Sequence, residues 1–437
     1  MISTGLSQHY QKFFFGCLCF YAIALTTSIA GMELLGSLMM ALVLYLAVSG
    51  FFIKSHRLAL PRFCGDTGLW LFVFFAALGA MGAQHLDLAD KLDVVRSARF
   101  AILIYALIFA ISWQMEKDLE KIKKILRLLF VFMLIVGVYG IVQFFTGIDI
   151  FRSRPYELKI FEARPDIHLY RVKGFFTNTM SFSYAFGMLF CLLLSLAFFN
   201  TGLWRRKWLK WFSVAVVLLS LGMTFTRGLW ITLLVALSVM TAFYSRKVFL
   251  RFLFSSLLLA ALLFTFSPPV RERFMGLVQL DQSNFERTKI WRVHFEMFKD
   301  HPWLGVGYEK NRVLVQNYNE KLWGHKWRGA HAHNHFLQIL AGTGVLGFIS
   351  FMIFVGGGFY MALMLWRRSQ QEDNDFFKAI ALGSIGAQIV CHLGGMSESV
   401  FVDRESNHVF IFILALTISS CMYLKFSKQS LRSDGTY

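Results

Sequence analysis

The stretch His331-Ala-His-Asn-His335-Phe-Leu-Gln-Ile-Leu-Ala-Gly-Thr-Gly344 sets three histidines and a carboxamide directly against an apolar run that continues to about residue 365. A helix crossing a hydrocarbon core of roughly 30 Å needs about 20 apolar residues. The run that opens here is longer, so it is predicted to tilt or bend, with its polar mouth at a membrane surface. The same length rule, applied outward along the chain, predicts about twelve spans. They lie near 13–30, 33–53, 68–83, 98–114, 126–146, 180–199, 208–225, 229–244, 250–267, 335–365, 377–396 and 408–424.

Composition agrees. Of 437 residues, 56% are apolar and 16% charged, with a mean hydropathy of +0.54, against about 25% charged in soluble domains. The chain therefore reads as an all-α integral membrane protein, residues 1–437 forming one polytopic domain. Its net charge of +18 does not imply nucleic acid, because Lys and Arg fall in short clusters between apolar runs, the pattern that sets membrane orientation. The six cysteines lie mostly inside apolar runs and read as small hydrophobes. Ser28-Ile-Ala30 resembles a signal cleavage site, but a second apolar run follows at once, and a retained first helix is expected.

Orientation follows from the basic loops. With the N-terminus inside, the cytoplasmic segments contain Lys54/Arg57/Arg62, Lys117/Lys121/Lys123/Lys124, Arg205/Arg206/Lys207, Arg246/Lys247, Arg367/Arg368 and Lys425/Lys428/Arg432. Both termini are then cytoplasmic, and the opposite side receives 84–97, 147–179, 268–334 and 397–407. Loops longer than about 15 residues are uncommon unless functional, which directs the search to 147–179 and 268–334. The second is predicted to be partly helical: Asn284 can cap a surface helix from Phe285 to about Lys299, with Ile290, Val293 and Met297 on one face and Trp291 and Phe298 at the interface.

Four pieces fall on that side. In Thr224-Phe-Thr-Arg227-Gly-Leu-Trp230, Arg227 has almost no loop to occupy. It either serves a polar ligand or extends to lipid phosphate. In Arg287-Thr-Lys289-Ile-Trp291-Arg292, Arg287 and Trp291 share a helix face, and arginine's planar fork suits phosphate oxygens; a merely solvated face is the other reading, above all for Lys289 and Arg292. In the quoted stretch, His331, His333 and His335 alternate and Asn334 can fix a ring or a sugar hydroxyl. Imidazole suits a general base near neutral pH, and without a convincing carboxylate motif a metal site is not expected. In Arg171-Val-Lys173-Gly-Phe-Phe-Thr-Asn178, cations and an amide precede a helix start, where a polar ligand can bind. Ser397-Glu398 and Asp403-Arg404-Glu405 read as local ion-pair turns.

Taken together, Lys173-Gly-Phe-Phe-Thr-Asn178, Thr224-Phe-Thr-Arg227-Gly, Arg287-Thr-Lys-Ile-Trp291, His301-Pro-Trp-Leu-Gly-Val-Gly307, His333-Asn-His-Phe-Leu337 and Gly342-Thr-Gly344 resemble, in order, the O-antigen ligase and polymerase superfamily of membrane glycosyltransferases. The resemblance spans roughly residues 170–350. It implies a GT-C-like fold with a large periplasmic loop, in a bacterial inner membrane, and an active site on the periplasmic face. It implies His333 as catalytic residue and Arg227 and Arg287 as ligands of the diphosphate. His331, Asn334, His335, Arg171, Lys173, Asn178, Lys289 and Trp291 become supporting or substrate-binding candidates. The implied partners are an undecaprenyl-diphosphate-linked glycan donor, a lipid A–core acceptor and membrane lipids, with no metal, cofactor or nucleic acid. Helix count and the single dominant late loop favour a ligase over a polymerase or a protein-directed transferase. A transporter would instead concentrate polar groups at midspan.

Overall fold

The computed structural model describes residues 4–53, 62–97, 99–150, 169–204, 206–268, 270, 271, 275, 282–324 and 331–433. Lys54, Arg57, Arg205, residues 151–168 of the first long loop, and 269, 272–274, 276–281 and 325–330 of the second lie outside these residues, as do the side chains of Asn284, Lys428 and Arg432.

Every predicted apolar run is helical. In chain order the helices are α1 (Thr4–Thr27), α2 (Ile29–Ile53), α3 (Asp66–Gly82), α4 (Leu88–Ser97), α5 (Arg99–Lys117), α6 (Leu119–Thr146), α7 (Thr179–Phe198), α8 (Lys207–Gly222), α9 (Arg227–Tyr244), α10 (Arg246–Phe266), α11 (Gln282–Asp300), α12 (Asn311–Trp323), α13 (His335–Gln371), α14 (Asp375–Gly394) and α15 (Arg404–Ser433). Among the described residues no strand occurs, and nine helical stretches are long and apolar enough to cross a membrane. Of the remaining runs, α3 has 17 residues and α8 has 16.

The centre of the bundle is α7, α14 and α15, whose side chains are buried almost all round. The other helices pack outward from them: α5 against α15, α9 against α14, and α3 against α13. At the periphery α10 packs on α9 with no buried residue. A helix apolar on every side is expected where lipid is its solvent.

The four connections assigned to one side by charge meet at one end of the bundle. Lys310 pairs with Asp93, and Ser97 donates to Glu309. Glu398 meets His333, and Glu405 accepts from Thr177. Two of these connections hold more helix than expected. The 84–97 loop is mostly α4. In the 268–334 loop, α11 begins at Gln282, ahead of the cap predicted at Asn284, and a second helix, α12, follows. The predicted face of α11 is buried: Val293 and Met297 pack with Val306, Val315 and Tyr318 into a small core of their own.

The long run from His335 does bend. Gly344, at φ 65° and ψ −171°, interrupts α13. The break leaves the carbonyls of Ala341 and Gly342 and the amides of Val345 and Leu346 without helical partners, and the His301–Gly307 segment takes up all four. Val306 and Gly307 donate to Ala341 and Gly342 at 3.0 and 2.9 Å, while Val345 and Leu346 donate to Pro302 and Trp303 at 2.8 and 3.4 Å. Backbone that leaves a helix at membrane depth must be satisfied within the protein. Two motifs distant in sequence are thus one joint.

Gly344→Ala should uncouple this joint. The backbone conformation is essentially restricted to glycine, and a Cβ would strike the Trp303 carbonyl. We expect a loss of at least ~2 kcal/mol of stability, read as a lower unfolding temperature, with faster proteolysis of 301–310 than in wild type.

Candidate active site

The histidine stretch is held from behind before it reaches α13. The Ala332 amide donates to Gln338 Oε1 at 2.8 Å, Gln338 Nε2 donates to Asn311 Oδ1 at 3.1 Å, and Asn311 Nδ2 returns to the Gln338 carbonyl at 3.0 Å. From α11, Trp291 Nε1 donates to the Ala332 carbonyl at 2.9 Å. These bonds fix a bent segment whose alternating side chains meet different surroundings.

His331 and His333 turn toward a cavity of about 390 Å³, within the range of small-ligand sites. Their ring centroids are 4.2 Å apart. His333 sits at φ 47°, in the left-handed region, where a non-glycine residue costs energy and often marks function. Its Nδ1–H donates to Glu398 Oε1 at 2.9 Å, and Arg287 Nη2 lies 3.7 Å from Glu398 Oε2. One carboxylate from the loop after α14 therefore holds both the preferred histidine and the preferred arginine. With Nδ1 committed to Glu398, Nε2 is the ring nitrogen left to accept a proton.

Electrostatics follow the same arrangement. Burial opposes ionisation of Glu398, but the hydrogen bond from His333 and the charges of His333, His331 and Arg287 outweigh it and hold the carboxyl below its usual range. Burial pushes the His331 imidazole down, the neighbouring His333 and Arg287 add to this, and Glu398 opposes it. His294, on the buried face of α11, is pushed down to about 4 by burial. His331 and His294 are therefore neutral near pH 7.

The other sequence-predicted residues divide. Arg171 lines the cavity and ties its loop to the next one, donating from Nε to the Thr224 carbonyl at 2.9 Å and from Nη2 to Thr226 Oγ1 at 3.3 Å. Asn178 also lines the cavity, but its Oδ1 caps α7 by accepting from the Ser181 amide. Arg227 opens α9 beside the site. The next residue, Gly228, lies against Tyr184 and Ser397, so this helix end abuts the 395–403 loop.

Five of the supporting or substrate-binding candidates are engaged by the protein itself. Lys173 is buried and paired with Asp149 at 2.7 Å, because its loop folds back where Gln143 pins the turn at Gly174. Asn334 Oδ1 caps α13 by accepting from the Leu337 amide, so its carbonyl side fixes the helix start. His335 is fully buried against Phe351, His392 and Phe401, in a space that exists because Gly395 has no side chain. Lys289 lies over Phe285 and Trp323, and Trp291 serves as the brace described above. The local ion-pair reading of the acidic segment also fails. Asp403 accepts from Ser181 Oγ and the Ser406 amide, Glu405 accepts from Thr177, and Glu398 goes to the site.

Glu398 is the site residue that the sequence assigned to a local ion-pair turn instead. Its signal was a carboxylate a few residues beyond the end of a span, in a connection on the same side as the histidines. It also supplies the acid that the metal reading lacked: one ligand atom each from His331, His333 and Glu398 lie within 4.8 Å of one another, a set able to hold an ion.

With this geometry in view, comparison with known proteins is specific. Residues 212–352 match the family described as O-Antigen ligase. Over that stretch the chain is similar to the O-antigen ligase family. The match, about a third of the chain, runs from α8 into α13 and includes Arg227, Arg287, the histidines and Gly344, while Arg171 and Glu398 lie outside it. A stretch of 117 residues is 29% identical to the exopolysaccharide production protein ExoQ of Rhizobium meliloti (strain 1021) and covers 26% of this chain and 26% of the relative. The match thus spans about a quarter of that relative's length.

Glu398→Gln should destabilise the loop at neutral pH by about 1.5–3 kcal/mol, the range for a hydrogen bond to a charged group. Since the folded carboxyl titrates below its ordinary 4.5, its contribution is present above that value and is lost as pH falls through the lower folded value. Thermal unfolding of the two proteins should differ at pH 7 and converge only once the pH falls below the lowered folded value.

Proposed function

We propose that the chain is an O-antigen ligase: a metal-independent, inverting glycosyltransferase. It moves a glycan from undecaprenyl diphosphate to a hydroxyl of lipid A–core at the periplasmic face of the inner membrane. The observation that carries this reading is the shared carboxylate, Glu398, which orients His333 through Nδ1 and holds Arg287 at the same cavity. A lipid diphosphate is already a good leaving group. The protein must hold and neutralise it, and must take a proton from the acceptor hydroxyl.

The division of labour follows from the side chains. Arg287, with Arg227 beside the site and Arg171 in the cavity wall, supplies cationic donors for the diphosphate. His333 Nε2 accepts the hydroxyl proton as the oxygen attacks the anomeric carbon and the bond to the diphosphate breaks; the imidazolium that forms is stabilised by Glu398, and direct displacement inverts the anomeric configuration. His331, held neutral beside it, does not compete for the cation's place. Trp291, Gln338 and Asn334 act on position alone.

A second reading, a polymerase joining one lipid-linked repeat to another, is favoured by the name of the rhizobial relative, an exopolysaccharide production protein. The same chemistry serves both, and the acceptor distinguishes them. A deletion strain decides it. Polymer-free core with accumulated long lipid-linked polymer is expected for a ligase, whereas core bearing a single repeat would assign the polymerase.

With purified protein, His333→Ala should cut turnover by about 10²–10⁴-fold, the usual worth of general-base catalysis, and Arg287→Ala should cut it comparably, with both variants still folded. Chelator should leave wild-type turnover unchanged. Loss on chelation with recovery on added zinc would move His331, His333 and Glu398 to a metal role instead.

A further inference from the structure

A second cleft opens at the same end of the bundle, on the far side of the 395–403 loop. Glu33 of α2, Arg96 and Arg99 at the α4–α5 junction, Glu309, and Arg404 and His408 of α15 line it. Val402 belongs to its wall and to the wall of the histidine cavity, so one residue separates the two. The cleft is narrow, about 60 Å³. At some 10–15 Å³ for each water-sized probe, that accommodates one phosphoryl or carboxylate group.

Its charges are unevenly committed. Arg99 is taken by Glu33 at 2.6 Å, and His408 Nδ1 by Tyr21 Oη at 2.7 Å. Asp93 is taken by Lys310 at 2.7 Å, which also reaches Asp90 at 2.9 Å. Glu309 accepts from Ser97 Oγ at 3.2 Å, and burial pushes its carboxyl up toward the neutral form. Glu309 also sits at φ 59°, left-handed like Phe225 and His333 at this end of the molecule. Two exposed guanidiniums remain, Arg96 and Arg404, and neither has an ion-pair partner among the described residues. Arg404 acts on Glu33, Asp93 and Glu309 through space alone. Paired arginines flanking a group-sized cleft suit an oxyanion.

We propose that this cleft holds a phosphoryl group of the acceptor glycan, bound by Arg96 and Arg404 while the acceptor hydroxyl reaches past Val402 to His333. The proposal rests on the transferase reading above and adds where the second substrate is anchored. An anchor outside the reacting centre adds binding energy that orients the hydroxyl without occupying the donor's cations.

Two measurements on the full-length protein in detergent test it. The first is binding of inorganic phosphate and of glucose 6-phosphate by calorimetry, which requires no transfer. The Arg96→Gln/Arg404→Gln double variant should lose phosphate-group binding at least tenfold, and Arg287→Gln should keep most of it. The opposite pattern, or equal loss in both, would place the anion in the histidine cavity and overturn the subsite. The second is transfer to acceptor glycan with and without its phosphate groups removed. The double variant should raise KM at least tenfold for the charged acceptor, with kcat and donor KM little changed, and should leave KM for the dephosphorylated acceptor at its wild-type value. A shift in donor KM, or an equal shift for both acceptors, refutes the assignment. Absence of transfer by wild type refutes the transferase reading alone, since the binding measurement stands by itself.

Discussion

The structure depends on the repair of one interrupted helix. At Gly344 two consecutive helical hydrogen bonds of α13 are broken, and the Pro302–Gly307 backbone inserts between the separated partners, satisfying both carbonyls and both amides. A dry environment leaves no other solution for four unpaired backbone groups. The repair joins the α11–α12 layer to the bundle, and α11 in turn brings Trp291 and Arg287 to the histidine stretch. Position at the site is therefore set by backbone bonds some distance from it, and the side chains at the cavity need only point the right way.

Much of the fold was legible because a bilayer imposes length and polarity on each span. The twelve apolar runs required only counting, and all of them are helices. The basic clusters sorted the connections into two groups, and the four on the side without them do meet at one end. What was illegible was helix formed by docking. α4 and α12 are short and polar, and their stability comes from neighbours such as Lys310 with Asp93 and Asn311 with Gln338. Tertiary contacts of this kind leave little periodic trace in a sequence.

The site was legible as a cluster but not as an arrangement. Alternation along 331–335 announced that the three histidines would differ without saying how. Burial then makes His335 a core residue, while His331 and His333 stay at the cavity. Lys173 looked like a ligand because a cation before a helix start often is one; its partner Asp149 lies 24 positions upstream in a turn that only the folded loop brings near. Glu398 was discounted for the converse reason. Its neighbours Asp403 and Arg404 offered a plausible local pairing, yet Glu398 accepts from the Ser399 amide and from His333, more than sixty positions upstream.

The outer piece of α13, residues 335–343, is shorter than the roughly 12–15 residues at which an isolated helix begins to be stable in water. Beyond the glycine it has no continuous helix to lean on, so its order is borrowed from the segment docked on its carbonyls. The site therefore depends on docking as well as on insertion. The apolar helices can insert and pack first, but the histidine stretch acquires its shape only when α11 and α12 have settled on the bundle. A fully inserted chain is not yet a chain with a site, and the interval between the two is when the exposed polar ends of this protein are most open to proteolysis or misassembly.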